Sequence, residues 1–312
     1  MTALLFGFLT IAFVGPIPQA LSRATWPLYA PRAAMALWQS VALAAVLSAF
    51  STGLAIAANL LTPGHDGAPT TNPLDEIGRL GWFLWTLYVV VFALTLLVGA
   101  RLMFTVVRVG IRTRARRTIH RNLVDLVDCV DKRRGTDRDV RVLDVPTPLA
   151  YCLPGLRSRI VVSEGVLDRL TDDELTAVIE HERAHLRARH DLVLEAFIAL
   201  HEAFPRFVRS QSALGSVELL AEALADDQAA RATAPTTVGR ALVACADATA
   251  PRGAMAVGGP TTLTRVRRLG YVRPVPLVSA TAYTLAAAIL VVPTLAVAIP
   301  WLTELNRLIT HF

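Results

Sequence analysis

The residues with the clearest chemistry are His181, Glu182 and His185, in the run His181-Glu182-Arg183-Ala184-His185. On an α-helix, positions i and i+4 project from one face, so both imidazoles reach a single metal ion. Glu182 follows at about 100° round the helix, beside the first imidazole, where a carboxylate takes a proton from an attacking water and hands it on. Metal-assisted hydrolysis is the chemistry such a set performs, with Zn2+ the expected ion. A shuffled chain of this composition would carry H-E-x-x-H on the order of once in two hundred trials, so coincidence explains it poorly. A catalytic zinc site takes three protein ligands and leaves one position open, and this run supplies only two. A third on the same helix would need glycine at 188 and histidine at 191, but Ala188 and Asp191 stand there. His190 is one residue out of that register and is expected at the surface. The third ligand must come from another helix.

The next polar cluster runs from Ser216 to Arg231, with Ser216 as the expected N-cap of a Leu/Ala-patterned helix. Its carboxylates are Glu218, Glu222, Asp226 and Asp227. Glu222 and Asp226 are spaced i, i+4 and share a face, so Glu222 suits a metal while Asp226 buttresses a histidine through its second ring nitrogen. Spacing alone leaves open that all four are solvated surface charges.

The elements that position these residues follow from pattern. Thr171 and Glu174 form a capping-box pair, Asp172 and Asp173 add negative charge to the helix start, and Leu175, Val178, Ile179 and Leu186 make an apolar stripe. A helix starting at about Asp172 is the expectation. Val140 to Val145 and Ile160 to Val162 read as short strands, with Pro146-Thr147-Pro148 breaking at an edge or loop. Such an edge either pairs with an extended substrate or simply packs.

The chain of 312 residues is 54% hydrophobic with a mean hydropathy of +0.48, which favours a membrane protein. Four apolar runs without Asp, Glu, Lys or Arg cover Met1 to about Leu21, Ala33 to Leu61, Leu80 to Ala100 and roughly Pro276 to Leu302. Each is long enough to cross ~30 Å of hydrocarbon as a helix. The first lacks a basic n-region and a small-x-small site, so it reads as a retained span rather than a cleaved signal. Arg101, Arg108, Arg112, Arg114, Arg116, Arg117 and Arg121 follow the third run, and Arg265, Arg267, Arg268 and Arg273 precede the fourth. Positive flanks stay in the cytoplasm, and Arg23 and Arg32 agree. The layout expected is three spans over 1–108 with an external loop at about 62–79, a cytoplasmic domain over 109–274, and a fourth span with a short external tail over 275–312. The arginines at 112–121 read as topogenic and lipid-facing rather than as a nucleic-acid patch, so the bilayer is an expected partner and nucleic acid is not. Three cysteines, Cys129, Cys152 and Cys245, with no C-x-x-C pair, fit a reducing compartment.

His181-Glu-Arg-Ala-His185 followed by Glu222-Ala-Leu-Ala-Asp226 resembles the H-E-x-x-H and E-x-x-x-D signature of membrane gluzincin peptidases. Two groups share it, the beta-lactam sensor-transducer (BlaR/MecR-like) peptidases and the HtpX/Ste24-like peptidases. The stretch from Val145 to Leu175 follows the strand, strand, helix order of both. The resemblance implies a membrane α-helical fold of four transmembrane helices with a cytoplasmic, mostly helical α+β zincin domain. It also implies Zn2+ as cofactor, Glu222 as third metal ligand and Asp226 as its support. The order of three spans, zinc domain and one span favours the sensor-transducer group, whose substrate would be a winged-helix transcriptional repressor. Membrane-protein quality control is the alternative, and a non-catalytic receptor or scaffold retaining the fold is a third. About ten residues follow Leu302 and no S-x-x-K motif occurs, so covalent beta-lactam sensing is not expected. Tyr151, His201 and Arg231 are candidates to stabilise an oxyanion.

Overall fold

The computed structural model describes residues 2–57, 77–78, 80–127, 139–155, 158–204, 210–246, 255–256, 261–270 and 275–310. Most of the expected loop at 62–79 lies outside these residues, as do Cys129, Arg273 and most of 253–262.

Helix α1 (Thr2–Val14) is interrupted at Gly15 and resumes as α2 (Pro16–Arg23), whose Pro16 occupies the first helical position where no N–H is needed. A 3-10 turn at Trp26–Leu28 leads into α3 (Pro31–Ala57). Helix α4 (Trp82–Val127) is 46 residues long. The stretches 3–23, 31–57, 82–124 and 276–295 are long and apolar enough to cross a membrane. On α4, Leu96, Leu97, Met103 and Phe104 are all more than half exposed, as side chains that meet lipid would be.

At 1.5 Å per residue α4 is about 69 Å long, twice the ~30 Å hydrocarbon thickness. It therefore continues without a break past the expected end at Ala100 and carries its arginines into the rest of the protein. Arg101 Nε donates to Ala203 O at 2.7 Å. Arg117 Nη1 lies 3.0 Å from Asp191 Oδ2 and 2.8 Å from Glu195 Oε1, with 12% of its side chain exposed. Arg117 is thus not lipid-facing. Two carboxylates offer a guanidinium more than a headgroup would.

Strands β1 (Val140–Leu143), β2 (Ala150–Leu153) and β3 (Arg159–Ser163), with the two-residue β4 (Met255–Ala256), form one sheet in the order β1-β3-β2-β4. β1 runs parallel to β3, while β2 is antiparallel to both β3 and β4. Ile160, Val161 and Val162 are fully buried, which suits β-branched side chains on a covered sheet. The expected strands at 140–145 and 160–162 are present, and Pro146 to Pro148 sit in the loop between β1 and β2.

The remaining helices are α5 (Glu164–Arg169), α6 (Asp172–Ala188), α7 (His190–Ala203), α8 (Ser210–Ala232), α9 (Pro235–Ala244), α10 (Thr262–Leu269) and α11 (Pro276–Thr310). Helix α6 starts where the capping box placed it. Thr171 N donates to Glu174 Oε2 at 3.1 Å and Glu174 N to Thr171 Oγ1 at 3.4 Å. Val178 packs with Val142, Ile160 and Leu242, and Leu175, Ile179 and Leu186 flank that core. Helix α8 begins six residues before Ser216, which is therefore not an N-cap. Its hydroxyl donates back to Ser212 O at 2.8 Å inside the helix. The added turns put Ala213, Val217 and Leu220 against Trp38 and Val41 of α3 and Phe197 of α7. That second core joins α8 to the apolar helices, and Leu220→Ala there would cost about 2–5 kcal/mol.

Candidate metal centre

His181 and His185 face α8 from one side of α6, and both are buried. Their Nε2 atoms are 3.2 Å apart. Glu222 on α8 brings Oε2 to 3.4 Å from His181 Nε2 and Oε1 to 3.4 Å from His185 Nε2. Three donor atoms thus converge, one from each residue and all within 4.8 Å of one another. Tetrahedral zinc with bonds of about 2.0–2.1 Å has ligand–ligand edges of about 3.3 Å. The Nε2–Nε2 edge of 3.2 Å matches that ion, and the two Glu222 oxygens, each 3.4 Å from a different imidazole, leave the carboxylate to present either one. Among the four carboxylates left open above, the geometry selects Glu222. Glu218 is exposed, and Asp227 turns away to Arg268 Nη2 at 2.8 Å.

Each imidazole is held from behind. His181 Nδ1 lies 3.0 Å from Asp226 Oδ1, which orients the ring with Nε2 toward the cluster. His185 Nδ1 lies 2.9 Å from His190 Nδ1. His190 is therefore not a surface residue. It is 5% exposed because α6 ends at Ala188 and Arg189 takes left-handed dihedrals of φ 53° and ψ 40°. That one-residue corner turns His190 back against His185, where a straight helix would have carried it away. Burial and the nearby His185 lower the His190 pKa to about 4, so it stays neutral, and an ion on His185 Nε2 would leave the proton on His185 Nδ1 to be donated to it.

Arg265 of α10, expected only as a positive flank of the last span, is buried at the back of the site. It forks onto Asp226, Nε to Oδ2 at 2.8 Å and Nη2 to Oδ1 at 2.6 Å, and its Nη1 lies 2.8 Å from Glu222 Oε2. One guanidinium fixes both carboxylates. Burial alone would raise the Glu222 pKa, but His185, His181 and Arg265 outweigh it and hold the carboxyl well below its ordinary range. Burial likewise opposes a charge on His181, but the hydrogen bonds to Asp226 and Glu222 prevail and raise its pKa to about 9. Arg268, also expected as a flank, is buried and donates to Leu28 O and Ala223 O.

Glu182 points from α6 toward the sheet and is 0% exposed. Among the described residues no nitrogen or hydroxyl donor reaches either of its oxygens, which leaves the weak Cys152 thiol as its neighbour, an arrangement that costs energy unless another group completes it. Burial raises its pKa, with His181 and His185 pulling the other way. The Cys152 thiol of β2 bears on the same carboxylate. Burial and the Glu182 charge hold it well above its ordinary value, so it is neutral. A buried carboxylate with only a thiol against it, coupled to three converged donors, fits a metal site with water beside it.

The oxyanion candidates fare less well. The Tyr151 hydroxyl is 2.9 Å from His120 Nε2, and burial raises its pKa to about 12. Arg231 is exposed in the last turn of α8, nine residues past Glu222, which is about 13 Å along the helix. His201 is in the last turn of α7.

Residues 113–221 match Peptidase family M48. Its members are zinc metallopeptidases, and the match, over about a third of the chain, supports a metallopeptidase whose four apolar helices fit a membrane. It takes in His181, Glu182 and His185 and stops one residue short of Glu222, whose candidacy as third ligand rests on geometry. Among curated proteins and among solved structures nothing matches the chain. Sequence reading missed His190, Arg265 and Cys152 as neighbours of the site. No pattern marks Cys152, and Arg265 looks like any arginine near a span.

Proposed function

We propose that the chain is an integral-membrane zinc endopeptidase, multi-pass in the cell membrane, with its metal domain on the cytoplasmic side. The observation that carries the reading is the convergence of His181 Nε2, His185 Nε2 and a Glu222 oxygen within 4.8 Å of one another beside the fully buried carboxylate of Glu182. These three residues would hold the ion, with Asp226 orienting His181. A bound zinc ion supplies Lewis acidity toward a carbonyl and toward water. Glu182 takes the proton from the attacking water and delivers it to the departing amine. Arg265 keeps the Glu222 and Asp226 carboxylates ionised and in place. The arginine flanks support the cytoplasmic side.

The substrate we favour is a protein segment, a winged-helix repressor, because three apolar stretches precede the metal domain and one follows it. Quality control of membrane proteins is the competing use of the same site. The test compares wild type with Glu182→Gln in vesicles, measuring zinc content and cleavage of the repressor and of a misfolded membrane protein. Glu182→Gln should keep near-stoichiometric zinc and lose about 10²–10⁴-fold in rate. Cleavage at close to the wild-type rate would overturn the mechanism, and wild-type cleavage of the membrane protein alone would replace the repressor.

A further inference from the structure

A cavity of about 520 Å3 lies where α3 and α11 meet α6, α7 and α8. Its wall combines Met35 and Leu224 with Arg32, Arg187, His190 and Tyr283, and no acidic side chain is among the described residues that line it. Arg187 Nη2 is 3.1 Å from Glu180 Oε2, outside the cavity. Arg32 is exposed and makes no hydrogen bond or ion pair among the described residues. The cavity is thus amphipathic, biased to positive charge, and furnished with a cation, Arg32, that no described residue neutralises.

Its height along the apolar helices narrows the ligand. Arg32 is the second residue of α3 and Tyr283 the eighth of α11. Ala30 and Ala33 pack against Ala282, so both helices enter their apolar stretches at the level of the cavity. A guanidinium, a tyrosine and an apolar floor at that level suit a phosphate diester carried on acyl chains. A soluble anion would leave the apolar half unused.

We infer that this cavity is a headgroup site for an anionic bilayer phospholipid, with Arg32 as the partner of its phosphate. The inference rests on α3 and α11 lying in a bilayer and not on peptide hydrolysis. The headgroup would stand beside His190 and so one imidazole from His185, whose Nδ1 is 2.9 Å from that of His190.

The test is native mass spectrometry of the full chain in detergent, with wild type, Arg32→Gln, Arg32→Lys and, as a control elsewhere, Arg231→Gln. Phosphatidylglycerol, phosphatidylcholine and inorganic phosphate are titrated as separate arms. Phosphatidylglycerol should bind Arg32→Gln about fivefold more weakly than wild type, the worth of one basic residue near an anionic surface. Arg32→Lys should keep most of the affinity, because the charge remains, and Arg231→Gln should match wild type. Phosphatidylcholine affinity should not depend on residue 32, and millimolar phosphate should not displace phosphatidylglycerol. Equal phosphatidylglycerol binding by wild type and Arg32→Gln would overturn the inference. Displacement by inorganic phosphate would overturn the lipid and leave a plain anion site. Arg32 holds no other group in place among the described residues, so Arg32→Gln should unfold at the wild-type temperature.

Discussion

Removing Glu222 tests the metal centre at its most exposed point. The His181 and His185 side chains are 2% and 0% exposed, whereas Glu222 is 17% exposed, so a substitution to alanine there leaves the least core damage. Four-ligand zinc sites release about 10–16 kcal/mol on binding, or roughly 2.5–4 kcal/mol per ligand if shared equally. At 1.4 kcal/mol per decade, Glu222→Ala should weaken zinc binding on the order of 10²–10³-fold. A second effect has the same sign. Arg265 Nη1, now 2.8 Å from Glu222 Oε2, would lose that partner and face the ion with Asp226 left to balance its charge. The assay strips the full chain of metal in detergent and titrates zinc back against a chromophoric chelator. Glu218→Ala and Asp227→Ala serve as comparisons, since one is exposed and the other pairs with Arg268. A Kd for Glu222→Ala within a few-fold of wild type, or a larger loss in Glu218→Ala, would refute the assignment and the facing of α8.

Asp226→Asn should cost about 10–100-fold in zinc affinity in the same titration, the usual effect of losing a carboxylate behind a histidine ligand. Arg265→Met leaves Asp226, which is 0% exposed, without its main counter-charge. Stability should fall by about 3–5 kcal/mol, seen as a drop on the order of 10 °C in the unfolding midpoint. Adding Asp226→Asn should recover part of that loss, because the buried charge is then gone. The Glu174 carboxyl has a lowered pKa, chiefly through the Thr171 backbone N–H. A group depressed in the folded state stabilises fully above its unfolded value, 4.5, and loses that contribution as pH falls through the folded one. Glu174→Ala should thus cost about 1 kcal/mol near neutral pH and progressively less as pH drops below 4.5, which thermal melts across pH will check.

The catalytic helix was legible because its signals are local: a capping box, a 3.6-residue stripe and two histidines four apart all lie within 15 residues, Thr171 to His185. Glu222 was half legible, since spacing put it on a face with Asp226 but only packing turns that face toward α6. Ser216 misled because serine favours N-caps, while the turns before it are held by Ala213 and Val217 against α3, a long-range contact with no local signature. His190 was misplaced for a backbone reason. Its position depends on a left-handed Arg189, and a residue that is neither glycine nor asparagine gives no warning of such a corner. Arg265 lies 39 residues from Asp226, and in sequence it belongs to a juxtamembrane cluster that topology explains by itself.

These misses share a cause that bears on how the site is assembled. Helix α6 brings the two histidines and Glu182, but the other carboxylates belong to α8, whose other face is buried against α3. The guanidinium that fixes them comes from α10, a few residues before α11 enters its apolar stretch. From the side of α7, His190 buttresses His185, while the neighbouring Asp191 is anchored to Arg117 near the far end of α4. Every support of the candidate metal ligands therefore leads within one helix to an apolar stretch. A unit cut at residue 109 would divide α4 and bare Val217 and Leu220 to water, so the geometry at the candidate metal site depends on the apolar helices being in place.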